Sequence, residues 1–352
     1  MKGRVIALER ISDDATRAAL IVDGRLEDLL IDTTDAMQPR HGQIFAAIVD
    51  RPIANTPAAF ARLPGGHMAY VRDARKVKSG DRIVVQITGY PDPGKAWPAS
   101  VEYLLKSRIA ILTPGRPGAN VARSLKDPEV REHLQTLGTE CLAEYDHAGG
   151  LILRTEAAGA DDGEVEDAIR HLIEDDAAVL DNLAESKGPA LLLNERADWL
   201  AERDWLTAET DVATHDSLGI SPFEHFGVWD EIEKLKSPRA DLPSGGWMSI
   251  EATRAMVTVD VNTGDQFNPS AGMTTNIEAV RELPRQLRLR GLGGQVIIDF
   301  APLKKMHRRK IDETLKTAFR RDPIATTLAG WTPLGNFEMQ RKRERRPLSE
   351  CL

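Results

Sequence analysis

Cysteine is almost missing from this chain: Cys141 and Cys351 are the only two among 352 residues. They form no pairwise motif, so neither a disulfide framework nor a zinc site can be built from them alone, and a reducing cytoplasm is the expected compartment. Long apolar runs are missing too. No window approaches eighteen uninterrupted apolar residues, which excludes a membrane-spanning helix by hydropathy. The opening "MKGRVIALERIS" sets Glu9 and Arg10 where a secretion signal needs its apolar core, so no signal peptide is expected. No repeat or low-complexity tract stands out. What remains, 41% hydrophobic and 28% charged residues, is the composition of an ordinary soluble protein long enough for two or three domains.

The net charge of −8 argues against a polyanion partner, but the charge is unevenly spread. Between Glu156 and Ser186 stand eleven acids and a single arginine. Between Arg281 and Arg321 stand twelve Lys/Arg and four acids, and the tail "MQRKRERRPLSECL" adds five basic residues against two acids. Phosphate binding follows local potential rather than the total. A charge run is equally compatible with a solvated helix face.

Strand signals dominate the first third. "RVIALERI" and "RAALIVDGRLEDLLID" alternate, with Asp23-Gly24 as a hairpin turn. From residue 34 to 112 the segments "QIFAAIVDR", "AAFARLPGGHMAYV" and "GDRIVVQITGY" suggest five or so short strands and a small barrel such as an OB-fold. Phe60 and Tyr70 fall on successive strands across the Gly65-Gly66 turn, with Lys95 in the loop "YPDPGKAW". On an exposed barrel face they would stack bases and contact phosphate, whereas inside the barrel they would be core. Residues 113–187 read as a loop, "TPGRPGANVARSLKD", a strand, "GGLILRTEAAG", and a long helix. That helix has Val165, Ile169, Leu172, Ile173, Leu180 and Leu183 on one face and its acids on the other.

The last third reads strand, strand, loop, helix, strand and helix. In "MVTVDVNTGDQF", Val257 and Val259 point one way and Thr258 and Asp260 the other, before Asn262-Thr263-Gly264 turns the chain. Asp299 ends a second apolar strand 39 residues later, after the helix "NIEAVRELPRQLRLR". A strand–helix–strand unit can set both carboxylates at one sheet edge. Two such carboxylates suit Mg²⁺, which keeps several waters and takes substrate phosphate as a further ligand. Asn262 could aim one of them. The alternative is a pair of strand-end acids that cap loops or pair with arginines. Pro284 within the helix predicts a kink, or a cost of about 3 kcal/mol.

The runs "VTVDVNTG", "TTNIEAVRELPRQLRLRGLGGQVIIDF" and "GNFEMQRKR" closely resemble the catalytic signature of the ribonuclease E/G family. "RVIALE", "AAFARLPGGHMAYV", "GDRIVVQITGYPDPGKAWP", "TPGRPGANVARSLKD", "GLILRTEAAG" and "LPSGGWMSIEAT" are similar to its earlier blocks, in order and over nearly the whole chain. The resemblance implies an α/β fold built of subdomains. An RNase H-like subdomain (1–33 and 188–238) would hold an inserted OB-fold (34–112) and a 5′-sensor (113–187), followed by a DNase I-like catalytic subdomain (239–352).

It also implies an endoribonuclease of single-stranded RNA with Mg²⁺, or Mn²⁺, held by Asp260 and Asp299 and steadied by Asn262. Phe60, Tyr70 and Lys95 match the family's RNA-clamping residues. Arg154 and Thr155, with the loop near Gly118 and Val121, match its pocket for an RNA 5′-monophosphate. Three departures bear on these expectations. With no cysteine pair after "EMQRKR", zinc-mediated pairing is not expected, which leaves a homodimer without a zinc link. Pro333 stands where some members carry a further sensor arginine, which predicts weaker 5′-phosphate sensing. Pro284 predicts a shifted basic face beside the site. A catalytically weak RNA-binding or assembly protein of the same fold is the alternative to the enzyme.

Overall fold

A computed structural model describes residues 2–35, 38–265 and 270–352; Gln266 and Phe267, which close the quoted turn run, lie outside the described residues. The chain divides into two compact units, one of residues 1–34 and 196–352 and one of residues 35–195.

The first unit begins with a meander, β1 (Arg4–Ser12), β2 (Ala15–Val22) and β3 (Arg25–Ile31). The turn between the last two is the expected one: Asp23 and Gly24 both adopt positive φ, 51° and 80°, which a tight hairpin with right-handed twist requires. β2 is apolar on both sides, and the unit uses both.

The second unit opens with the barrel: β4 (Ile44–Pro52), β5 (Ala59–Arg62), β6 (Met68–Val71), β7 (Arg82–Ile87) and β8 (Trp97–Ser100). The pairing runs β4-β5-β6-β8-β7 and returns to β4, so five strands close into an OB-like barrel. Small side chains fill its narrow interior, among them Ala47, Ala59, Ala61, Ala69 and Ala99, with Phe45, Val85 and Trp97.

Beyond the barrel come β9 (Leu105–Lys106), β10 (Ala110–Thr113), β11 (Gly118–Val121), α1 (Pro128–Glu144), β12 (Gly150–Leu153), α2 (Asp162–Glu185) and β13 (Ala190–Leu193). Two features depart from the sequence reading. The segment read wholly as a loop contains β11, which pairs in parallel with β12, and the 17-residue α1 follows it. On α2, Leu180 is 52% exposed while Val179 and Asp176 are buried. Asp176 turns inward because two side chains satisfy it: Tyr103 donates its hydroxyl at 2.6 Å, and His147 Nε2 lies 3.0 Å away. The Gly149 N–H donates to His147 Nδ1, which leaves Nε2 as the protonated nitrogen facing the carboxylate. Strand β13 pairs with β4 within the second unit, and the chain enters the first unit again at residue 196.

That return brings α3 (Ala197–Trp205), β14 (Thr210–Ala213), α4 (His215–Leu218), α5 (Pro222–His225) and α6 (Val228–Leu235). β14 pairs in parallel with β1. Ala18 and Leu20 of β2 pack with Ala197, Ala201 and Trp205 of α3 on one side of the meander. On the other side, Ala19 and Ile21 pack with Phe223, Val228 and Ile232.

The last sheet contains β15 (Arg239–Asp241), β16 (Trp247–Ala252), β17 (Val257–Asn262), β18 (Gly294–Asp299), β19 (Thr326–Trp331) and β20 (Phe337–Arg341). Its order is β15-β16-β17-β18-β20-β19, with β17 and β18 parallel across the helix α7 (Ala271–Leu289), while α8 (Arg308–Arg320) follows β18. Ala279, Val280, Leu283 and Leu287 of α7 cover the sheet together with Ile311, Leu315 and Phe319 of α8. α7 is also tied to the meander, because Arg285 Nε donates to the Leu26 carbonyl at 2.6 Å and Arg288 Nη2 to that of Glu27 at 3.0 Å. The helix continues through Pro284, which is buried within it. Behind the helices, the fully buried Arg341 meets the equally buried Asp322 at 3.1 Å, and Asp322 also takes Arg288 at 2.8 Å.

Candidate active site

Alternation along β17 decides what its acid does. Val257, Val259 and Val261 are buried against the helices, so Thr258 and Asp260 emerge on the opposite, exposed face. β18 repeats the pattern, with Val296 and Ile298 inward and Asp299 outward. The parallel register places Asp260 directly beside Asp299. Neighbouring strands lie about 4.8 Å apart, so the two carboxylates share one patch at the carboxyl edge of the sheet. Asn262 Nδ2 donates to Asp260 Oδ2 at 2.8 Å, which orients that carboxylate and leaves its other oxygen outward. No cation is paired with Asp260 or Asp299 among the described residues, so the reading of these acids as arginine partners loses its support. Like charges set side by side without a counter-ion repel, and a hard divalent cation relieves that repulsion; the all-oxygen donor set suits Mg²⁺ or Mn²⁺.

Four residues that the sequence reading did not single out build this edge. Asn276, fully buried on α7, donates Nδ2 to the Ala301 carbonyl at 2.9 Å and accepts the Ala301 N–H at 3.0 Å. The chain is thus clamped two residues beyond Asp299. Glu278, two residues further along the helix, accepts the Ser244 N–H at 3.0 Å and holds the turn before β16. A Cβ on Gly246 would meet Thr275 at 2.6 Å and the Asn262 carbonyl at 2.7 Å, so the two turns touch only because glycine stands there. The first half of α7 therefore fixes the loops around Asp260, Asn262 and Asp299. Thr275, Asn276 and Glu278 fall within "TTNIE", where a buried amide in a helix interior was the available signal.

In the second unit, Phe60 and Tyr70 are direct cross-strand partners on β5 and β6, with ring centroids 5.7 Å apart, edge to face. Their neighbours Ala59, Ala61, Ala69 and Val71 fill the barrel, so both rings are half-buried on its outer surface and the core alternative does not apply. Arg51 stacks on Phe60 at 4.9 Å. Lys95 lies in the loop before β8, whose Pro98 is opposite Tyr70; its side chain is 71% exposed and meets Asp92 at 2.6 Å.

The β11–β12 register separates the remaining candidates. Val121 pairs with Leu153 and so adjoins Arg154 and Thr155, whereas Gly118 pairs with Gly150 at the opposite end of the strand. Thr155 Oγ1 and Ser124 Oγ are 2.7 Å apart, and Arg154 Nη1 donates to the Ser107 carbonyl at 2.8 Å. Arg131 on α1 donates to the Ala122 and Leu125 carbonyls at 2.8 and 3.0 Å, shaping the loop that follows Val121.

The family model described as Ribonuclease E/G matches residues 104–217 and 206–344, which include the Asp260–Asp299 edge and the β11–β12 pair. The chain belongs to the ribonuclease E/G family. Among its relatives, ribonuclease G of Escherichia coli K12 is 29% identical, in an alignment covering 98% of this chain and 81% of that protein. Ribonuclease G of Haemophilus influenzae is 27% identical over the same shares. Ribonuclease E of Nostoc sp. PCC 7120 is 26% identical over 95% of this chain and 55% of its own length. Within the ribonuclease E/G framework, no group of three or more potential metal-ligating side chains occurs among the described residues, and no helix is long and apolar enough to cross a membrane.

Proposed function

We propose that this chain is a Mg²⁺-dependent endoribonuclease that cleaves single-stranded RNA in RNA processing or decay. The observation that carries the reading is the in-register pair Asp260–Asp299 on the exposed sheet edge, with Asn262 bonded to Asp260. Its relatives' names, ribonuclease G and ribonuclease E, support the reaction class. Asp260 and Asp299 would hold the metal, with Mn²⁺ as the alternative ion. When bound, the ion would supply an activated water and neutralise charge developing on the phosphodiester.

The chain's own residues contribute binding and orientation. Asn262 fixes the Asp260 carboxylate, and the Asn276 clamp fixes the backbone beyond Asp299. Phe60 and Tyr70 offer ring surface to bases, at roughly 1–3 kcal/mol per stacked base, and Lys95 offers charge to phosphate. Arg154, Thr155 and the loop at Val121 would recognise a 5′-monophosphate, while Pro333 weakens that preference. A cytoplasmic location and a homodimer complete the proposal.

Cleavage of a 5′-monophosphorylated, AU-rich RNA tests it. Activity should require Mg²⁺ or Mn²⁺ and fall by several orders of magnitude in Asp260→Asn and in Asp299→Asn. Unchanged cleavage in either variant, or with chelator present, would sink the mechanism. RNA binding without any metal-dependent product would leave a binding protein of this fold instead. In the same assay Arg154→Ala should narrow the preference for monophosphorylated over hydroxylated 5′ ends.

A further inference from the structure

Behind the sheet face that carries Asp260 and Asp299, helices α7 and α8 enclose an open cleft of about 850 Å³ within the first unit. Lys310, Thr314 and Thr317 of α8 line it, with Arg321 at the helix's C-terminal cap, at the 4-3-4 spacing of one helix face. Arg281, Arg285 and Arg288 line it from α7 at 4-3 spacing. Its acids are already engaged. Glu313 pairs with Arg309 at 3.1 Å, Asp322 takes Arg288 and Arg341, and Glu27 lies 3.6–4.0 Å from Arg25, Arg285 and Arg288. Arg281, Lys310 and Arg321 are exposed and have no partner among the described residues. Three uncompensated cations therefore face one groove.

The groove follows α8, whose 13 residues span about 20 Å. A single phosphate would occupy a small part of that length, whereas consecutive phosphates of one strand would engage cations at both ends. Exposed Lys304 and Lys305 stand in the chain between Asp299 and α8 and add to the positive charge of this segment. We propose that the α7–α8 cleft binds the phosphodiester backbone of a single RNA strand through Arg281, Lys310 and Arg321, as a second contact beyond the Asp260–Asp299 edge. This rests on the RNA-cleaving reading above. It adds a site on the helical side of the sheet that would hold the strand beyond the cut.

The test measures binding of a fluorescein-labelled oligouridylate to the full chain, with chelator to prevent cleavage, across a salt series. Each phosphate contact to a single strand contributes about 0.7 to the slope of log affinity against log salt. The triple variant Arg281→Gln/Lys310→Gln/Arg321→Gln should lower that slope by about 2 and weaken binding at least tenfold at low salt. An unchanged slope in a variant whose far-ultraviolet spectrum is native overturns the cleft. On the unmodified chain, bound RNA should protect Lys310 from acylation, read by peptide mass; an unprotected Lys310 overturns it independently of any variant. Equal protection by uridine monophosphate or inorganic phosphate, at the same phosphate concentration, would make it a site for free anions and overturn the strand assignment. Protection by polyglutamate but not by RNA would assign the cleft to an acidic protein segment instead. Absence of RNA binding by the unmodified chain would overturn the RNA reading as a whole, whereas normal binding with an unchanged slope removes only the cleft.

Discussion

Replacing Asn276 with alanine should disable the Asp260–Asp299 edge without touching either acid. The side chain makes two bonds to one residue, Ala301, and both partners are buried. Removing the amide strands a backbone N–H and a backbone C=O, at about 1–3 kcal/mol each, so the first unit should lose roughly 4 kcal/mol. For a unit of this size that lowers the melting temperature by roughly 8–16 °C. Ala301 is two residues beyond Asp299, and a misplacement of about 1 Å at a reacting centre can cost about a hundredfold in rate. RNA cleavage measured well below the transition should therefore lose about a hundredfold in kcat with KM little changed, because Phe60, Tyr70 and the cleft are intact. Asn276→Asp keeps an acceptor for the Ala301 N–H and loses the donor to its carbonyl. Its activity should rise as the pH falls and the introduced carboxyl regains a proton to donate. Melting depressed with kcat at the native level would reduce Asn276 to a purely structural clamp; neither quantity moving would refute the geometry itself.

Two further outcomes follow from buried charge. Asp322→Ala leaves Arg341 buried without a carboxylate, and such a loss costs about 3–5 kcal/mol, to be read by denaturant unfolding; a change under 1 kcal/mol would mean that water reaches Arg341. The Tyr103 phenol is pushed well above its ordinary 10.0, by burial first and then by its bond to Asp176 and that carboxylate's charge. An acid whose folded pKa is raised stabilises the fold below the unfolded value and loses that contribution as pH climbs. Stability should therefore decline from about pH 10 upward, and Tyr103→Phe should flatten the decline. An alkaline unfolding curve identical in the two proteins would contradict this.

The short-range parts of this fold were legible because their physics is local. Asp23-Gly24 needs positive φ at two positions, and the composition of the turn announces it. The Asp260–Asp299 edge was legible because two apolar strands each end in an acid, with a helix of the right length between them. What stayed hidden depends on distant partners. Nothing local to α2 says that Asp176 turns inward, because Tyr103 and His147 supply its bonds from 73 and 29 residues away. Leu180 was misjudged on the same helix, since spacing alone does not fix how far round the buried stripe extends. β11 has four residues, two of them Gly118 and Asn120, and only its pairing with β12 makes it a strand. Asn276 showed only as an amide in a helix interior, and its role emerged with Ala301, which meets it just beyond the end of β18.

The division of the chain has a consequence for how it is made. The meander β1–β3 is apolar on both faces, and the segments that cover those faces begin at residue 196. A ribosome working at about 5–20 residues per second needs roughly 10–30 s to deliver them. During that interval residues 35–195 can complete their own core, while Leu20, Ile21, Leu29 and Leu30 wait uncovered behind them. The nascent chain thus carries a sticky leader through the synthesis of an entire globular insert. Holding chaperones should be drawn to the first thirty residues, and substitutions that speed the folding of the insert should leave that window as long as before.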